Sequence, residues 1–131
     1  MKKMIAALAV LLVASGVYAG DFPDITVSEV KGALQAKQIT LIDVNGSDSW
    51  KAGHIPGAID FATSKEKLAS LLPQDKGSLI VAYCGGPSCG AYAAAAKAAK
   101  SLGYTNVKHL VAGISGWKQS GEATEKCGCG K

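Results

Sequence analysis

The sequence predicts an α/β domain with a mainly parallel sheet. Two observations carry that prediction. Short apolar runs that suit buried strands alternate along the chain with stretches of helical periodicity, and such alternation builds crossovers onto one parallel sheet. The unit from Leu79 to Leu102 carries the strongest signals of the chain. Leu79-Ile80-Val81-Ala82-Tyr83 is an apolar run of strand length, and Ala91 to Leu102 is an alanine-rich helix former with lysines spaced along it. Gly103 stands where a helix C-terminal glycine is expected.

The remaining elements follow in order. Thr26-Val27-Ser28-Glu29 is a capping box, and it opens a helix to about Ala36 with Val27, Val30, Ala33 and Leu34 at helical spacing. Ile39 to Val44 is a second buried-strand run, ended by the turn signal Asn45-Gly46. Ser47 to Ala52 is a short helix, and Gly53 to Ala58 a loop into a short strand at Ala58 to Asp60. Thr63-Ser64-Lys65-Glu66 reads as a second capping box, starting a helix that Pro73 closes. Val107 to Val111 is the last strand and Ile114 to Ser120 a final short helix. No internal repeat interrupts this order.

At 131 residues the chain has room for one domain. Residues 1–19 read as an export signal: Lys2 and Lys3 form a basic start, Ile5 to Val13 is apolar, and Val17-Tyr18-Ala19 is a small-x-small cleavage site before Gly20. The expected location is therefore the periplasm. The domain itself is read as residues 20–121, and Glu122 to Lys131 as a polar, glycine-rich, unpacked tail. The net charge of +4 is mild, and all fourteen basic residues are lysine. A chain without arginine lacks the bidentate forks that recognise phosphate, which argues against a nucleic-acid partner and against phosphoryl transfer.

The four cysteines fall in two close pairs, Cys84 with Cys89 and Cys127 with Cys129. An even count in an oxidising compartment allows two disulfides, but pairs so close in sequence staple little of the fold and read as chemistry. Cys84 opens the loop Cys84-Gly85-Gly86-Pro87-Ser88-Cys89-Gly90 between strand and helix. That place puts a thiol at the C-terminal edge of a sheet and at a helix N-terminus, where backbone N–H groups favour an anion and the thiolate forms readily.

Three blocks of this chain resemble the rhodanese-like (sulfurtransferase) family. The first is Leu41-Ile42-Asp43-Val44 followed by Trp50 to Ala58, with the specific run Gly53-His54-Ile55-Pro56-Gly57-Ala58. The second is Ile80 to Cys84 with its loop and helix. The third is Leu110-Val111-Ala112-Gly113-Ile114-Ser115-Gly116-Trp117. They occur in the family's order and cover roughly Ile25 to Gly121. The resemblance implies a five-stranded, mainly parallel sheet flanked by helices on both faces. It implies that Cys84 carries sulfur, with the loop amides cradling a persulfide. The chain departs from the pattern at two places: Asn45 and Cys89 stand where the family often has arginine. Lys97 or Lys100 are then the nearest candidates for a positive field.

In that reading a thiolate at Cys84 attacks the outer sulfur of a donor, and the resulting persulfide passes its terminal sulfur to a nucleophile. The N–H groups of Gly85, Gly86, Ser88, Cys89 and Gly90 hold the anion; Pro87 has none. Cys89 either fills the helix's first turn or acts as a second thiol, and Cys127 and Cys129 form a terminal disulfide, bind a soft metal, or visit the loop to exchange sulfur or electrons. Asp43 is expected to hold neighbouring loop amides, and His54 to be a hydrogen-bonded loop histidine. Trp50 and Trp117 read as core aromatics. The expected partners are a small sulfur donor such as thiosulfate or a persulfide and a thiol acceptor. Neither cofactor nor metal is expected, nor a membrane contact after signal removal, and the chain is expected to be a monomer. Two other functions stay open: thiol–disulfide redox chemistry through Cys84 and Cys89, and a non-catalytic binding module on the same fold.

Overall fold

Four parallel strands form the sheet: β1 (Thr40–Asp43), β2 (Ile59–Asp60), β3 (Ile80–Tyr83) and β4 (Val107–His109), in the spatial order β2-β1-β3-β4. They come from a computed structural model that describes residues 22–126. The proposed export signal and the thiols Cys127 and Cys129 lie outside those residues. The helices are α1 (Val27–Gln35), α2 (Ser47–Ala52), α3 (Phe61–Ser64), α4 (Leu68–Leu71), α5 (Tyr92–Ser101) and α6 (Gly113–Gln119), with a 3-10 turn at Lys65–Lys67 between α3 and α4. No helix among the described residues is long and apolar enough to cross a membrane.

The period of two along a strand sorts the core into two layers. Ile42, Ile80 and Ala82 face one side and pack with Phe61, Leu68, Tyr92, Ala95, Ala96 and Ala99. Leu41, Val81 and Tyr83 face the other and pack with Val30, Ile55, Leu110 and Trp117. β3 is buried along its whole length, as an unbroken apolar run requires. The alanines of α5 let that helix lie close on the sheet. Gly103 ends it at φ +102°, a conformation that suits glycine.

Four expectations change. The fifth strand is reduced to one parallel bridge, Asp24 with His109: Ile25 N–H donates to the His109 carbonyl at 2.9 Å and His109 N–H to that of Pro23 at 2.8 Å. Pro23 has no N–H to extend the pairing, and Thr26 already caps α1, so no more residues are free to join. The second capping box does not form. Asp60 caps α3 instead, accepting from Ala62 N at 3.1 Å, while the Thr63 hydroxyl donates to the Asp60 carboxylate at 3.2 Å. The tail is tied to the domain as far as Glu125, because Glu125 pairs with His54 in an antiparallel bridge and Trp117 Nε1 donates to the Ala123 carbonyl at 2.8 Å. Trp117 is a core aromatic, whereas Trp50 is only half-buried and donates from Nε1 to the Ala58 carbonyl at 2.8 Å.

His109 is 4 % exposed and stacked on Tyr92 with ring centroids 3.4 Å apart, and its Nε2 has no partner among the described residues. Burial pushes its pKa below the ordinary 6.5, with Asp24 opposing more weakly. The unfolded chain therefore binds a proton that the folded chain refuses. Stability from this group is complete above about pH 6.5 and declines as pH falls below it, by at most about 1.4 kcal/mol per pH unit. Urea denaturation from pH 7.5 to 5 should show His109→Phe losing less stability than the parent on the acid side.

Candidate functional site

β1 and β3 end side by side, and a buried polar chain ties their ends to the loop before β2. The Asp43 carboxylate accepts from Asn45 N at 2.8 Å and from the Tyr83 hydroxyl at 2.7 Å. The Tyr83 oxygen in turn accepts from Ile55 N at 3.1 Å. Burial pushes the Asp43 carboxyl above the usual carboxylate range, against the hydrogen bonds from Tyr83 and Asn45 that lower it. Burial, with the neighbouring Asp43 charge, pushes the Tyr83 phenol far up, so it stays a donor. Asp43 thus holds the Asn45 amide directly and the Ile55 amide through the Tyr83 hydroxyl.

Cys84 follows β3 directly and is 1 % exposed. It is joined to Cys89 by a disulfide, with Cα atoms 6.3 Å apart. The loop between them folds back because Cys89 N–H donates to the Gly86 carbonyl at 3.1 Å. That bond corrects the expected cradle: the Cys89 amide is occupied. The N–H groups of Gly85, Gly86, Ser88 and Gly90 have no partner among the described residues.

The first turn of α6 grips the other side of the loop. Ile114 N–H donates to the Cys84 carbonyl at 2.9 Å and Ser115 N–H to that of Gly85 at 3.0 Å. Gly113, at φ +64°, comes so close that a Cβ there would sit 2.6 Å from Gly85 and Gly86 backbone atoms. Above the loop lies a cleft of about 620 Å³, lined by Asn45, Ser49, Gly85, Ser88, Ser115 and Lys118 among others. Neither Cys84 nor Cys89 lines it while they are bonded to each other.

Lys118 supplies the ammonium at this cleft, and sequence reasoning overlooked it. Helical spacing from Ile114, another lining residue, was the available signal. Lys97 and Lys100 do not serve. Lys97 is exposed along α5, and Lys100 lies over the Phe22 ring at 5.7 Å, beside a second hollow at the opposite edge of the sheet. His54 is buried. Its Nδ1 lies 2.6 Å from the Trp50 carbonyl and its ring stacks on Trp50 at 4.2 Å. Its Nε2 lies 3.5 Å from the Glu125 carboxylate, which also accepts from Gly57 N at 2.9 Å. His54 is thus a hydrogen-bonded loop residue that also anchors residues 122–126. Among the described residues no His, Cys, Asp and Glu cluster suits a metal ion.

Residues 26–120 match the family described as the rhodanese-like domain. The chain is 37 % identical over 98 residues to an HTH-type transcriptional regulator, Rv0324, of Mycobacterium tuberculosis; the match covers 74 % of this chain and 42 % of the regulator. It is 28 % identical over 103 residues to the thiosulfate sulfurtransferase GlpE of Shewanella oneidensis, covering 76 % of this chain and 96 % of that one. Among solved structures, a thiosulfate sulfurtransferase from Pseudomonas aeruginosa matches with a TM-score of 0.62 at 25 % identity, over 80 % of this chain and 20 % of that chain. This chain therefore spans under half the length of the regulator and a fifth of the Pseudomonas enzyme.

Proposed function

We propose, from the premise that this chain belongs to the rhodanese-like domain family, that it is a sulfurtransferase working through a persulfide on Cys84. Sulfurtransferases among its relatives support a role of that type. One observation carries the finer reading. Cys84 stands at the end of β3, at the base of a loop where the N–H groups of Gly85, Gly86, Ser88 and Gly90 have no described partner. Once reduced, the Cys84 thiolate attacks the outer sulfur of a donor. The donor's sulfur–sulfur bond breaks, and its electron pair leaves on sulfite or a thiolate. An acceptor nucleophile then takes the terminal sulfur, and the thiolate returns. The loop amides stabilise negative sulfur at each stage. The Cys84–Cys89 disulfide favours a second reading, thiol–disulfide exchange at the same pair. Residues 1–19 support placing the reaction outside the cytoplasm.

A single exposed ammonium, Lys118, serves the cleft where the family often has guanidinium groups. A point charge in that position adds modest attraction for an anionic donor. Lys118→Ala should raise KM for thiosulfate by about 3- to 10-fold with kcat nearly unchanged, and the difference should shrink in high salt. The test of the function is mass spectrometry of the reduced full-length Cys89→Ser chain, in which Cys84 is the one thiol left in the loop, before and after thiosulfate or glutathione persulfide. One added sulfur on the Cys84 peptide, removed by cyanide, is the expected result. A reduced Cys89→Ser chain that gains no sulfur from either donor overturns the proposal.

A further inference from the structure

We propose that Cys89 resolves the Cys84 persulfide, expelling hydrosulfide and closing the Cys84–Cys89 disulfide, so that this chain reduces sulfane sulfur to sulfide at the expense of a dithiol. The inference rests on the sulfurtransferase reading and adds a second activity to the same loop.

Its basis is which sulfur Cys89 reaches. The loop brings Cys89 Sγ to bonding contact with Cys84 Sγ itself, across a Cα separation of 6.3 Å that suits an ordinary disulfide. On a loaded enzyme that atom is the inner sulfur of the persulfide. Attack there breaks the bond to the outer sulfur. Attack on the outer sulfur instead would only move the persulfide to Cys89. The approach is built into the backbone: the Cys89-to-Gly86 hydrogen bond turns the chain back, and α6 holds Cys84 and Gly85 by their carbonyls. Cys89 is also half-buried against the same core layer as Cys84, so the two thiols are held as neighbours.

The step balances. Cys84–S–S⁻ and Cys89–SH give Cys84–S–S–Cys89 and HS⁻. The bond between Cys84 Sγ and the outer sulfur breaks and its electron pair leaves with the outer sulfur. The bond between Cys89 Sγ and Cys84 Sγ forms, and the Cys89 proton ends on hydrosulfide. The outer sulfur is reduced by two electrons and the two thiols supply them. Hydrosulfide is a good leaving group by the rule that weaker bases leave faster. The N–H groups of Gly85, Gly86 and Ser88, which have no partner among the described residues, stabilise it as it departs. An external dithiol then reopens the bridge by two exchange steps and becomes a disulfide itself. Until it does, Cys84 is buried and bonded and accepts no sulfur.

Single-turnover loading tests this, with thiosulfate as donor because it leaves sulfite and no thiol. Reduced full-length parent and Cys89→Ser are each desalted and treated without added thiol, with Cys89→Ala as a second variant and Cys84→Ser as control. Cys89→Ser and Cys89→Ala should stop at a cyanide-labile sulfur on Cys84 and release no sulfide. The parent should release about one sulfide per chain, retain no sulfur, and show a Cys84–Cys89 bridge by peptide mapping. A parent that retains the same cyanide-labile sulfur as Cys89→Ser and releases no sulfide overturns this proposal and leaves the sulfurtransferase reading standing. Sulfide release with the new bridge mapped to Cys127 or Cys129 overturns it as well. Failure of every form to take or turn over sulfur, from thiosulfate and from glutathione persulfide, removes the sulfurtransferase reading and this step with it.

Discussion

Cys84→Ser should lower sulfur uptake to below about a thousandth of the parent rate. A serine hydroxyl at this place stays protonated near neutral pH, and an alkoxide is a poor match for a soft sulfur electrophile, so the new side chain does not take over; sulfur mapped to Cys89 in this variant would place the nucleophile there instead. The same substitution also removes the Cys84–Cys89 bridge. By chain-entropy reasoning a ring this small contributes on the order of 2 kcal/mol to the oxidised form. A loss of activity then has two candidate causes, the missing nucleophile and the lost crosslink, and Cys89→Ser separates them. It loses the same bridge but keeps the nucleophile, so it should still load sulfur. Mass spectrometry after one exposure to donor, alongside denaturation midpoints for both variants, checks the prediction.

Gly113→Ala should unfold the domain more easily and disable the loop together. The position has φ +64°, which an L side chain adopts at a cost of roughly 1–2 kcal/mol. The new Cβ would also sit 2.6 Å from Gly85 and Gly86 backbone atoms, which are held by the α6 hydrogen bonds and have little room to yield. Overpacking of this kind adds roughly 1–3 kcal/mol. The sum predicts a fall in Tm of roughly 10–20 °C for a domain of this size, with sulfur uptake reduced at temperatures where the protein is still folded. Gly121→Ala is the matched control. It has φ +82° but nothing within 4 Å of the added Cβ, so it should lose only the backbone part. Equal losses at the two positions would mean that contact with the loop contributes nothing.

Local signals were legible where local chemistry decides. The Thr26–Glu29 capping box forms as read, with Glu29 N donating to the Thr26 hydroxyl at 3.1 Å. The apolar runs become β1, β3 and β4, and Gly103 ends α5. Two of the misreadings share one cause: a distant partner decided between two locally acceptable patterns. Asp60 and Thr63 can both cap a helix, and Ser47, which donates to the Asp60 carboxylate at 2.6 Å, helps hold Asp60 as the cap. Glu125 looks like part of a polar tail until His54 and Gly57 meet it. In the site, Cys84, Asp43 and His54 were legible as residues. The cleft's ammonium was not, because which lysine reaches it depends on how α6 lies against the loop. The pairing of Cys84 with Cys89 also needed the backbone path, since spacing alone does not bring two thiols together.

The bridges Asp24–His109 and His54–Glu125 join positions far apart along the chain. β1 waits for β3 and β3 for β4, so contacts of high sequence separation dominate the topology. Such contacts pay loop-closure entropy before they return any stability, and they slow the search for the native state. A nascent chain that has reached only Ser101 has neither β4 nor α6, and the loop at Cys84 has nothing gripping its carbonyls. The thiol site therefore cannot be gripped by α6 before synthesis has passed residue 115.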